Sequence, residues 1–162
     1  MDLHSVLDWL QHTGWAVGLK QSDFMFPLVE GSHILSLSFS VGMVMILDMR
    51  LLRISFRSQR VSLMMQQLMP WTLTGFGVMM VTGLLLFAAQ AVKVYGNTFF
   101  RIKVILMVLA GLNALYYQLK YYPKMAEWEQ GSTPVGARII AVLSLVFWFG
   151  VIACGRTMAY EL

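Results

Sequence analysis

Charge is scarce in this chain, and four long stretches have none at all. Charged residues make up 12% of the sequence and hydrophobic residues 58%, against about 25% and 45–50% in soluble domains. The runs Gly31–Leu47, Val61–Val92, Val104–Leu119 and Ile139–Gly155 contain no Asp, Glu, Lys or Arg. Cysteine is nearly absent too. The single Cys154 excludes an intramolecular disulfide and any Cys-x-x-Cys redox or zinc site, and its place in the last run reads as small packing filler. Also missing is a basic segment followed by a long apolar stretch at the start, so no cleavable signal peptide is expected.

A helix crossing the bilayer core needs about 20 mostly apolar residues, fewer when flanking side chains snorkel. Each run meets that length once its polar ends are included. The expected fold class is therefore all-α: an integral membrane four-helix antiparallel bundle with spans at about 24–50, 70–92, 99–117 and 135–158. Sequential helices joined by short connectors should be neighbours. Pro27 falls in the first turn of the first span, after capping candidates Ser22 and Asp23. The apolar segment before Pro70 extends the second helix upstream, with a bend at the proline. Residues 94–98 read as a tight turn. Within residues 1–22, Leu3, Val6, Leu7 and Leu10 fall at helical spacing beside Trp9 and Trp15, the pattern of a short amphipathic helix at the membrane surface. Residues 23–162 form the bundle.

The formal charge of +4 would suggest nucleic acid in a soluble domain. Here most basic residues flank the spans, where they anchor and orient helices in the lipid bilayer, and no nucleic-acid partner is expected. Of the twelve, Arg50, Arg53, Arg57, Arg60, Lys120, Lys124 and Arg138 sit at one end of the spans. The remaining five, Lys20, Lys93, Arg101, Lys103 and Arg156, sit at the other. The seven-to-five excess puts the arginine connector in the cytoplasm and both termini outside.

Ionisable residues inside a span are costly and carry the functional signal. Glu30 and His33 are three apart in the first span and share a face, which continues through Leu37, Ser40, Val44 and Asp48. At 1.5 Å per residue they lie roughly 9 and 13 Å deep. Lys103 and Arg156 fall at similar depth in the third and fourth spans. A cluster of Glu30, His33, Lys103 and Arg156 would offset much of the cost of burial, either as a staple between helices or as a ligand pocket. Met107, roughly 12 Å deep, is level with His33, and Gly83 near that level leaves room for a flat macrocycle.

His/Met axial ligation of haem is an established pattern, so haem b held by His33 and Met107 is the leading cofactor expectation. Glu30 would accept the other ring N–H, and Lys103 and Arg156 would serve the propionates. Copper at His33 and Met107 is the lesser one, since the thirteen methionines form no repeated Met-x-x-Met array. With His4 and His12 outside the spans, a bis-histidine site within one chain is not expected. No nucleophile–base pair or metal triad is visible, so an enzyme is not expected either. Other readings are proton, small-solute or lipid handling, or a structural or assembly subunit of a larger membrane complex. A homo-oligomer is expected because four helices alone leave much surface uncovered.

A set of motifs recurs in order: Glu30–His33, Leu47–Leu52, Pro70–Phe76, Thr82–Phe87, Phe99–Lys103, Leu109–Ala114 and Gly155–Tyr160. It resembles a family of small bacterial four-helix membrane proteins of unassigned function. More distantly it is similar to copper-resistance membrane proteins of the CopD type and to cytochrome-b-like bundles. The resemblance spans nearly the whole chain and implies a fold, not an activity. Glu30, His33, Lys103, Asn113 and Arg156 match the family's polar positions. Family members often carry a histidine shortly after the Asn-Ala segment, where this chain has Gln118, and the departure removes one candidate ligand. Asn113 reads as a buried amide tying the third helix to a neighbouring backbone.

Overall fold

The computed structural model describes residues 3–129 and 131–161; positions 1, 2, 130 and 162, which the expected segments 1–22 and 23–162 include, lie outside the described residues. The described residues fold into helices alone: α1 (Leu3–Gln11), α2 (Gly14–Gln21), α3 (Met25–Leu51), α4 (Val61–Ala89), α5 (Ala91–Gly96), α6 (Thr98–Lys120), α7 (Met125–Trp128) and α8 (Val135–Glu161). α3, α4, α6 and α8 are each long and apolar enough to cross a membrane, and the chain is a multi-pass helical membrane protein. The terminus end of the bundle carries α1, α2, α5 and the last turn of α8. The arginine end carries the 52–60 and 121–134 connectors.

Local chemistry sets the helix limits. Ser22 Oγ accepts from Met25 N at 3.0 Å, and the Asn97 side chain caps α6 by accepting from Phe99 N at 2.8 Å and Phe100 N at 3.2 Å, as short polar side chains do at helix starts. α3 stops in a Schellman pattern: Ile54 N donates to Met49 O and Arg53 N to Arg50 O, both at 3.0 Å. Arg53 holds the left-handed position at φ 60° that glycine usually takes. α4 begins at Val61 and carries Pro70 inside it.

Three expectations change. The N-terminal segment is two helices, broken where Thr13 is extended (φ −62°, ψ 142°). Both halves pack on the bundle, α1 against α4 and α5 and α2 against α3 and α4, with Leu7 and Ala16 buried while Trp9 and Trp15 stay exposed. The expected turn at 94–98 is mostly the short helix α5, entered through a break at Gln90. Finally, α4 and α6 are not neighbours along their length. α3 packs on α4 and α8, and α6 packs on α8, giving the order α4–α3–α8–α6. The α5 step carries the chain sideways before α6 descends. α4 and α6 meet through side chains at the terminus end, where Phe87 and Phe100 stack at 5.4 Å. At the arginine end a groove of about 380 Å³ separates them, lined by Met65, Met69, Pro70, Gln118 and Tyr122 among others. α3 is the central helix, with 39% of its most apolar stretch buried, against 6% for α6.

The main core lies at the arginine end, where Leu47, Leu51, Met64, Tyr117 and Ile140 pack with their neighbours. Glu129 closes it from the connector by accepting from Ser62 N at 3.2 Å. The hydrogen bond from Ser62, helped by Arg60 and Arg50, holds the Glu129 carboxyl below its usual range.

Candidate functional site

Close approach of α3 to α4 rests on two glycines. A side chain at Gly75 would collide with Ser40, and a Cβ at Gly83 would stand 3.0 Å from His33 Cε1. Small residues let membrane helices approach where lipid offers no hydrophobic drive. The space expected beside Gly83 for a macrocycle is therefore filled by the His33 ring itself.

That seat fixes the ring. His33 Nδ1 lies 3.0 Å from Met79 O and 3.1 Å from Thr82 Oγ1. A carbonyl oxygen only accepts, so Nδ1 carries a proton and donates it. Thr82 donates its own hydroxyl proton to Val78 O at 2.7 Å, which leaves its lone pairs free to accept from the same N–H. In the neutral imidazole this leaves Nε2 bare, and Nε2 has no hydrogen-bond partner among the described residues. Two stacked ring pairs bracket this level of α4, Phe87 with Phe100 and Phe76 with Trp148 at 5.0 Å, about 16 Å apart along the helix.

Of the expected cluster, only part comes together. Lys103 on α6 acts electrostatically on His33, and its stem runs beside Gly155 of α8, 3.6 Å from where a Cβ would stand. Cys154 is its other electrostatic neighbour. Lys103 forms no ion pair among the described residues. Glu30 is exposed on the surface of α3 and does not hold the ring, a role that Met79 O and Thr82 fill. Arg156 is exposed as well and turns to Tyr160, with Nη2 2.8 Å from its hydroxyl and the guanidinium 4.7 Å from the ring centroid. Met107 is half-buried, four residues from Lys103 and on the same face of α6. Asn113 donates from Nδ2 to Ile140 O at 2.9 Å and ties α6 to α8.

A model described as a family of unknown function, DUF6644, matches residues 14–161. The chain belongs to that family. No curated protein and no solved structure matches it. The family's match starts at α2 and runs through all four spans, so the His33 seat and the helices that build it lie within the shared region.

As a ligand set, His33 supplies one imidazole nitrogen with its tautomer held by a backbone carbonyl, the arrangement common to metal-bound histidines. Among the described residues, no three His, Cys, Asp or Glu side chains gather to hold a metal ion. The donor that the site offers is the single Nε2 of His33.

A second polar group is marked in the sequence only at Asp48, which falls within the Leu47–Leu52 motif. Asp48 of α3 and Tyr117 of α6 are 6% and 7% exposed, and Ser144 of α8 is buried beside the Asp48 carboxyl. Its carboxylate lies on the His33 stripe, in the last turn of the apolar helix α3. Nothing in the spacing of Tyr117 or Ser144 marks them as its neighbours.

Proposed function

We propose that this is a small inner-membrane protein of bacteria that binds haem b through His33, for electron exchange at the terminus end. The observation that carries the reading is the Nδ1 bond to Met79 O, which leaves Nε2 as a lone-pair donor in the neutral ring. Lys103, a cation with no carboxylate partner among the described residues, is placed to neutralise a propionate. Met107, or a group from a second subunit, would stand opposite. A bound haem would supply one-electron chemistry at its iron. The chain's own part is to hold the imidazole in one tautomer and to provide a positive charge within the bilayer. The basic-residue count, seven at the arginine end against five at the other, favours a periplasmic terminus end. Copper at His33 and Met107 is less supported, because a bare ion has no ligands of its own and no three His, Cys, Asp or Glu side chains gather among the described residues; no observation at the site favours small-solute handling.

The test is the spectrum of the purified full-length protein with and without added haem. A Soret band should appear, and His33→Ala should remove it, with a loss of affinity beyond the roughly 100-fold that removal of an outer-shell partner brings. A wild-type preparation that keeps no haem band once excess haem has been washed away would overturn the proposal. One observation favours a second reading, that of a homo-oligomer or a subunit of a larger complex: α6 leaves Ile105, Leu112 and Leu119 exposed at 59%, 56% and 70%. A His33→Ala variant with unchanged absorbance and weakened packing or assembly would favour it.

A further inference from the structure

At the arginine end, buried oxygens of three helices converge, and two of them stay without a partner among the described residues. Asp48 Oδ2 and the Tyr117 hydroxyl are both enclosed and have no hydrogen-bond partner among the described residues. The two groups interact electrostatically, and Ser144 offers an uncharged hydroxyl to the carboxyl from α8. No cation bridges to Asp48 among the described residues. Arg50, two residues along α3, is bonded through Nε to Gln59 O at 2.6 Å and faces Glu129. Arg138, six residues before Ser144 on α8, has a buried Nε with no partner of its own among the described residues and forms no ion pair with Asp48. From α4 the surrounding core contributes Val61, Met64 and Met65, none of them charged.

A carboxylate withdrawn from water without a cation costs several kcal/mol, and such a group ordinarily takes up a proton instead. A metal cation would need about six oxygen ligands, whereas the three side chains here offer four oxygens at most, and the carbonyls of the surrounding helices are engaged within their own ladders. We propose that Asp48, Tyr117 and Ser144 form an intramembrane binding site for one exchangeable proton, held on the Asp48 carboxyl group. On release, the carboxyl O–H bond breaks and the proton passes to water at the arginine end, past the Tyr117 hydroxyl. Ionisable residues inside spans are the usual stations of such transfers. The site lies 15 residues from His33 along α3, about 22 Å, and stands independently of any cofactor there.

The four aspartates, at positions 2, 8, 23 and 48, make a direct test possible in the intact chain. Of these, Asp8 and Asp23 are exposed and only Asp48 lies within a span. Full-length protein carrying carboxyl-labelled aspartate, in lipid vesicles at neutral pH, is read by infrared and carbon NMR spectroscopy. One of the four carboxyl groups should give the protonated signal, Asp48→Asn should delete it, and Tyr117→Phe should shift it while leaving the helices intact. Exchange into deuterated water should move the band, since the proton is exchangeable. Four ionised aspartates in the wild type would overturn the proposal without recourse to any variant. So would a protonated signal that sodium chloride removes and choline chloride does not, because that would make the site a sodium site.

Discussion

Gly75→Val is expected to lower the stability of the bundle by about 3 kcal/mol, the upper part of the range for overpacking a close contact. A Cβ at this position meets the hydroxyl of Ser40, a residue 0% exposed, and stands 3.4 Å from Ser40 Cβ and from a Phe39 ring carbon, so the two further methyl groups of valine enter a closed contact. The contact joins the middle of α3 to the middle of α4, the two helices that build the His33 seat, so they must separate or shift along one another. Gly77, two residues on, is the control. A Cβ there meets nothing within 4 Å, and Gly77→Val should change stability by no more than about 0.5 kcal/mol. Denaturation of both variants in the same detergent measures the difference. Equal stabilities would mean that α3 and α4 are not packed as described.

Gly83→Leu should spare the spans and damage the site. The added branch enters the volume of the His33 ring, whose Cε1 would already be 3.0 Å from a bare Cβ. The ring must leave its bonds to Met79 O and Thr82 Oγ1. Losing the group that orients a ligating histidine typically weakens binding by about 10–100-fold, and that is the expected fall in haem affinity. Gly83→Ala asks the ring to yield by only a few tenths of an ångström and should fall between wild type and Gly83→Leu. A haem titration that gives all three the same affinity would show that the His33 seat does not matter for binding.

The spans are legible in the sequence because length and lack of charge are enough to mark a membrane helix, and Pro70 inside α4 can be read from the apolar segment before it. Which faces pack cannot be read. Lipid is as apolar as a leucine side chain, so core-facing and lipid-facing residues do not differ in polarity and leave no periodicity to follow. Short connectors therefore suggest that α4 and α6 are neighbours, and they are not. The same blindness to rotation places Glu30 and Arg156 with His33 and Lys103 by depth alone. In the structure Glu30 and Arg156 sit on exposed surfaces and the other two turn inward. Depth does put Gly83 level with His33, but that its missing side chain accommodates the imidazole depends on how α3 is rotated. The Asp48 group brings together residues from α3, α6 and α8, 69 and 96 positions after Asp48, and only the order of helices in the bundle joins them.

The central claim is that His33 is held with its proton on Nδ1 and its Nε2 free. Nitrogen NMR of histidine-labelled protein in lipid, where His33 is one of three histidines, tests this most directly. His4 and His12 are assigned by their loss in His4→Gln and His12→Gln. The neutral His33 ring should show a protonated Nδ1 and an unprotonated Nε2, and only the Nε2 signal should be displaced when haem is added. A ring protonated at Nε2, or one unaffected by haem, would contradict the account.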